Sequence, residues 1–138
     1  MTSARIAPGR LTGCRVLVVD DHVDAADSLG LMLELLGAEV SVAYDGRSAV
    51  EAARTLSPRV VLLDIGMPGM DGYETARLIR EQAGDQPIQF MALTGWGQQE
   101  DIDRSVAAGF DMHLVKPVSL DALTAALDRC TNDATSVT

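Results

Sequence analysis

The sequence predicts an α/β fold: five strands, each followed by a helix, forming one parallel sheet with helices on both faces. Three observations carry this. Val16–Val19, Val60–Leu63 and Phe90–Leu93 are short continuous apolar runs, as expected of strands covered on both sides. Between them apolar residues recur at i, i+3, i+4 and i+7, the spacing of one helix face. Glycine or proline stands where one period gives way to the other. Strand–helix–strand units of this kind close right-handed and give parallel sheets.

The elements follow in order. Residues 1–13 contain Arg5, Pro8, Gly9 and Arg10 and read as a flexible tail or linker. Leu11-Thr12-Gly13-Cys14 looks like a lipoprotein cleavage box, but such a box needs about 7–15 apolar residues upstream, and none stand there. The first strand runs into Asp20-Asp21, and the first helix carries Leu29, Met32, Leu33 and Leu36 before Gly37. Val40-Ser41-Val42-Ala43 is a weaker strand, expected nearer the sheet edge, and Ala49, Ala52, Ala53 and Leu56 mark a helix ended by Ser57-Pro58.

The third strand delivers a lone carboxylate, Asp64, to the loop IGMPGMDG, where Asp71 is placed to cap a helix over 72–83 that Gly84 closes. The fourth strand leads to Thr94. A less regular helix over 98–108, anchored by Ile102 and Val106, ends at Gly109. Met112-His113-Leu114-Val115 is a second edge-like strand leading to Lys116. The last helix shows Leu120, Leu123, Thr124 and Leu127, with Ser119 as its cap. Residues 14–131 thus read as one domain and 132–138 as a C-terminal tail.

Composition bounds the function. The 138 residues suit a single domain with its own core, and 47% hydrophobic with 4% aromatic residues makes that core aliphatic. A net charge of −9 without a Lys/Arg cluster argues against nucleic acid as a direct partner, because phosphate binding needs a basic face. No apolar run approaches the roughly 20 residues that span a bilayer. Cys14 and Cys130 show no CxxC, no histidine stands at metal-ligand spacing, and the expectation is two reduced thiols in a cytoplasmic protein.

In an open parallel sheet, ligands bind beyond the carboxyl ends of the strands. Those ends here carry Asp20, Asp21, Asp64, Thr94 and Lys116. Three carboxylates brought together repel unless a cation sits among them, and oxygen donors suit a hard ion such as Mg²⁺. Mg²⁺ and an ammonium would neutralise phosphoryl oxygens, a hydroxyl would donate one directed hydrogen bond, and a carboxylate can act as nucleophile and form an acyl phosphate. Asp64, fixed by a buried strand and followed by an open turn, is the natural nucleophile.

Asp20-Asp21, LLDIGMPGMDG around Asp64, LTGWG around Thr94 and HLVKP around Lys116 together resemble the receiver domain of two-component response regulators, over about residues 14–131. The resemblance implies the flavodoxin-like strand order 2-1-3-4-5 and phosphotransfer from a sensor histidine kinase to Asp64. It further implies Mg²⁺ ligation by Asp21, Asp64 and the Gly66 carbonyl, with Asp20 often acting through water. Phosphoryl contacts would come from Thr94 and Lys116, and the Lys116-Pro117 peptide would be cis. The position three before the lysine, commonly a switching aromatic, is His113, which either substitutes in that role and confers pH sensitivity or is an edge-strand residue. Trp96 would flank the phosphoryl site and affect its lifetime.

Competing functions fit less well. A haloacid-dehalogenase-like phosphatase wants a second Asp two residues beyond the nucleophile, where Gly66 stands, and a longer chain. A nucleotide-binding module needs GxGxxG or GxxxxGK[ST], and neither occurs. A flavoprotein would need a phosphate-cradling loop where Asp20-Asp21 lie, and a scaffold would not need all five chemical positions. Nothing after residue 131 reads as an output domain, so the expected response lies on a surface around the fourth helix, fifth strand and fifth helix. The N-terminal tail with LTGWG and HLVKP is similar to the receivers of hybrid sensor kinases. A free-standing regulator and such a receiver, passing its phosphoryl group to a histidine phosphotransfer protein, both remain open.

Overall fold

A computed structural model describes residues 13–66, 72–95 and 109–127. The strands β1 (Arg15–Val19), β2 (Glu39–Ala43), β3 (Val60–Asp64), β4 (Gln89–Thr94) and β5 (Met112–Val115) form one parallel sheet in the order β2-β1-β3-β4-β5. Helices α1 (Val23–Leu35), α2 (Gly46–Leu56) and α3 (Gly72–Ala83) follow the first three strands, and residues 120–127 form α4 after β5. The expected helix over 98–108, the Asp71 cap, Trp96, Cys130 and the two tails fall outside the described residues.

Alternation along each strand divides the interior in two. Val16, Val18, Val60, Leu62, Met91 and Leu93 face one layer with Leu29 and Leu33 of α1 and Leu123 and Leu127 of α4. Leu17, Val19, Val61, Leu63, Phe90 and Ala92 face the other, with Ala49 and Ala53 of α2 and Ala76 and Ile79 of α3. Both layers are aliphatic at the centre, but the second also gathers Tyr73, Phe90 and Phe110 edge to face, at centroid separations of 6.1 and 5.9 Å. Arg80 lies 4.5 Å over the Phe90 ring while its Nη2 donates to the Gly109 carbonyl at 3.0 Å.

Local chemistry sets several boundaries. Asp45 caps α2 by accepting from the Ser48 N–H at 2.7 Å, and Ser119 Oγ does the same for the Ala122 N–H at 3.1 Å. Helix α2 ends on Ser57 in the left-handed region at φ 52°, and the Ser57 carbonyl accepts from Arg15 Nε at 2.9 Å. In α1 the buried stripe includes Gly30 as well as Leu29 and Leu33, whereas Met32 lies partly outside it. A Cβ at Gly30 would stand 3.0 Å from Val42 Cγ2, so the missing side chain lets α1 close onto β2. The start of β4 is fixed by Asp111, whose carboxylate accepts from the Phe90 N–H at 2.8 Å while its own N–H donates to Phe90 O at 2.8 Å.

Candidate functional site

The parallel register aligns the carboxyl ends of the central strands. Val19 of β1 pairs with Leu63 of β3, and Asp64 pairs with Leu93 of β4. Asp20 and Asp64 therefore leave adjacent strands at the same level, and both are buried, at 2% and 7% exposure. Lys116 arrives from the far side of the sheet. Its N–H donates to Thr94 O at 2.7 Å, which anchors the loop after β5 to the end of β4, and the Lys116-Pro117 peptide that follows is cis.

Lys116 Nζ donates to Asp20 Oδ2 at 3.1 Å and to Asp64 Oδ2 at 3.2 Å, bridging the two carboxylates. Each carboxylate uses its other oxygen locally. Asp20 Oδ1 accepts from the His22 N–H at 2.9 Å, and Asp64 Oδ1 accepts from the Gly66 N–H at 2.9 Å. Asp21 lies at the rim with its side chain 33% exposed. Thr94 is buried, and its hydroxyl donates to the Leu114 carbonyl at 3.4 Å. His113 sits exposed on the edge strand β5.

These contacts divide the charges unequally. Burial lifts the Asp64 carboxyl above the ordinary carboxylate value, and the Asp20 charge adds to this against the opposing pull of the Gly66 N–H and Lys116. Burial acts the same way on Asp20, but the His22 N–H and the Lys116 ammonium outweigh it and hold that carboxyl below the ordinary value. Burial alone would lower Lys116; its hydrogen bonds and the two carboxylate charges raise it instead. Asp64 is thus the more basic of the two buried carboxylates.

Ligand atoms of Asp20, Asp21, His22 and Asp64 all lie within 4.8 Å of one another, close enough to share one ion. The three carboxylates supply the hard oxygen donors that Mg²⁺ prefers, so the donor set fits. Sequence reasoning did not single out His22, whose Nδ1 stands 3.3 Å from Asp20 Oδ1, at hydrogen-bond distance, and 3.5 Å from Asp21 Oδ1. The only signal for it was its place directly after the acidic pair. Gly72 was also missed. A Cβ there would come within 2.5 Å of Ile65 Cα and 2.7 Å of Asp64 O, so α3 starts in contact with the backbone that carries Asp64.

Such a sheet, with buried carboxylates bridged by a lysine at its carboxyl edge, defines a small α/β module built around an acidic centre. The chain belongs to the response regulator receiver domain family of two-component signalling, whose family model matches residues 16–128. It is 38% identical over 115 residues to the transcriptional regulatory protein PrrA of Mycobacterium tuberculosis, covering 83% of this chain and 48% of that one. It is 34% identical over 124 residues to the probable histidine kinase 2 of Oryza sativa subsp. japonica, covering 78% of this chain and 12% of that one. This chain therefore spans about half the length of the first relative and a small part of the second. The chemotaxis protein CheY4 of Vibrio cholerae superposes with a TM-score of 0.76 at 30% identity, over 85% of this chain and 98% of that one. Among the described residues no helix is long and apolar enough to cross a membrane.

Proposed function

We propose that residues 14–131 act as a phosphoacceptor in a phosphorelay, taking a phosphoryl group from the phosphohistidine of a sensor histidine kinase onto Asp64. The observation that carries this is the Lys116 bridge between Asp20 and Asp64, on a pair in which Asp64 is the more basic. An Asp64 carboxylate oxygen attacks phosphorus, the P–N bond breaks, and its electron pair returns to the donor imidazole. Lys116 then pairs with phosphoryl oxygens in place of a carboxylate oxygen, and Thr94 exchanges its long bond to Leu114 O for one to the phosphoryl group. Asp20, Asp21, Asp64 and the Gly66 carbonyl would hold Mg²⁺, which when bound would neutralise charge on the phosphoryl oxygens.

The module turns over no external substrate, acting only in its own phosphorylation and dephosphorylation. Release of Thr94 from β5 gives a route from the site to the surface around β5, where His113 lies, and to a protein partner. That partner is an output surface in a free-standing regulator or a histidine phosphotransfer protein in a hybrid-kinase receiver, in either case in the cytoplasm. Intact mass after incubation with acetyl phosphate tests the reading. One phosphoryl group is expected on the wild type with Mg²⁺, and none without Mg²⁺ or on Asp64→Asn. Equal incorporation into Asp64→Asn would contradict it.

A further inference from the structure

Between α1 and the loop after β5 lies a cavity of about 530 Å³, within the range of small-molecule sites. Leu29 and Leu93, both buried, form its floor, and the half-buried Met32 and Val118 extend the apolar lining. The space is left open because α1 presents short side chains there, those of Ala25 and Ser28, at exposed positions. Asp24, in the first turn of α1, lines the same cavity. Its carboxylate has no hydrogen-bond or ion-pair partner among the described residues. We propose that this cavity binds a small organic amine, with an apolar body against Leu29, Met32 and Val118 and its ammonium on Asp24.

Length and charge define the ligand. At ~1.5 Å per residue, Asp24 and Met32 stand about 12 Å apart along the helix axis. An apolar chain or ring with one terminal cation spans that distance from carboxylate to thioether. Lys116 and Asp20 also line the cavity, but the Lys116 ammonium is already matched by Asp20 and Asp64, at 3.1 and 3.2 Å. The uncompensated charge at this end is therefore that of Asp24, which attracts a cation and repels an anion. Because Asp24 is exposed, its ion pair adds little affinity. The apolar contacts supply the affinity, and the carboxylate selects the sign of the ligand's charge.

The inference does not rest on the phosphoacceptor reading, since Asp64 does not line the cavity and binding alone is measured. The full chain is titrated with 4-phenylbutylamine and, separately, with the anionic 4-phenylbutyrate, followed by NMR of the methionine methyl groups. The amine is expected to saturate with a dissociation constant on the order of 1 mM, as a ligand of its size allows, and to shift the Met32 methyl most. It should bind at least about threefold tighter than the butyrate, and Asp24→Asn should erase that preference. Ser28→Leu, which fills the cavity, should weaken the amine at least about tenfold. Leu31→Ala, on the exposed face of α1 outside the cavity, should leave both probes unchanged. Asp24→Asn is isosteric and exposed, so the charge preference stays readable even where Ser28→Leu disturbs the helix. No saturable binding, equal affinity for the two probes, or a preference that survives Asp24→Asn would each overturn the proposal. So would a loss in Leu31→Ala that matches the loss in Ser28→Leu.

Discussion

Asp64 and Asp20 share one lysine, and burial weighs on both, yet they respond in opposite directions. Because the folded state favours the protonated form of Asp64, that carboxyl contributes most below its ordinary value of 3.8 and loses the contribution as pH rises through its folded value. Asp64→Asn fixes a neutral side chain of the same shape. Without divalent cations it should melt about 2–4 °C above the wild type at neutral pH, and the gap should close on acidification. Thermal melts at pH 7 and pH 4 check this, and a lower melting temperature for the variant at pH 7 would contradict it. Asp20, Asp21, Asp64, Thr94 and Lys116 were legible in the sequence because each stands where an apolar strand run ends. The Thr94 bond to Leu114 and the turn of His22 toward the acids depend on rotamers, which linear spacing does not encode.

At the scale of elements, Gly72 joins the start of α3 to the end of β3, which carries Asp64. A methyl group there would meet backbone atoms of Asp64 and Ile65, neither of which yields cheaply. Gly72→Ala should destabilise by about 1–3 kcal/mol and, on the proposed function, slow Asp64 phosphorylation, because relief of the clash moves the Asp64–Ile65 backbone. Denaturant unfolding together with a phosphorylation time course separates the two effects, and wild-type values in both would refute the role. Helix α2 offers a pH test. The Ser48 N–H and hydroxyl hold the Asp45 carboxyl below its ordinary value, so its capping contribution is present above about pH 4 and fades as pH falls through the folded value. Asp45→Ala should cost about 1 kcal/mol at pH 7 and less near pH 3 by denaturant midpoint. A constant difference at both pH values would show that charge does not strengthen the cap. The strand runs and the glycine stops after α1 and α3 were readable from period and punctuation. The role of Gly72 was not, since it is a contact between loop backbone and helix start.

For the whole molecule, the distribution of apolar residues along the strands accounts for which strands are central and which lie at the sheet edges. Continuous apolar runs at β1, β3 and β4 announced central strands covered on both faces, and they occupy the three middle places. The mixed runs of β2 and β5 fall at the edges. Composition foretold an aliphatic core but not the Tyr73–Phe90–Phe110 cluster, because so few aromatics leave no pattern in the sequence. On the proposed function, this architecture presents Asp64 to a phosphoryl donor. Borohydride reduction after phosphorylation, followed by peptide mass mapping, tests it most directly, because reduction converts an acyl phosphate to an alcohol and marks the residue that carried it. A Mg²⁺-dependent conversion of Asp64 alone to homoserine is expected. Conversion at Asp20 or Asp21, or none despite bound phosphoryl, would contradict it.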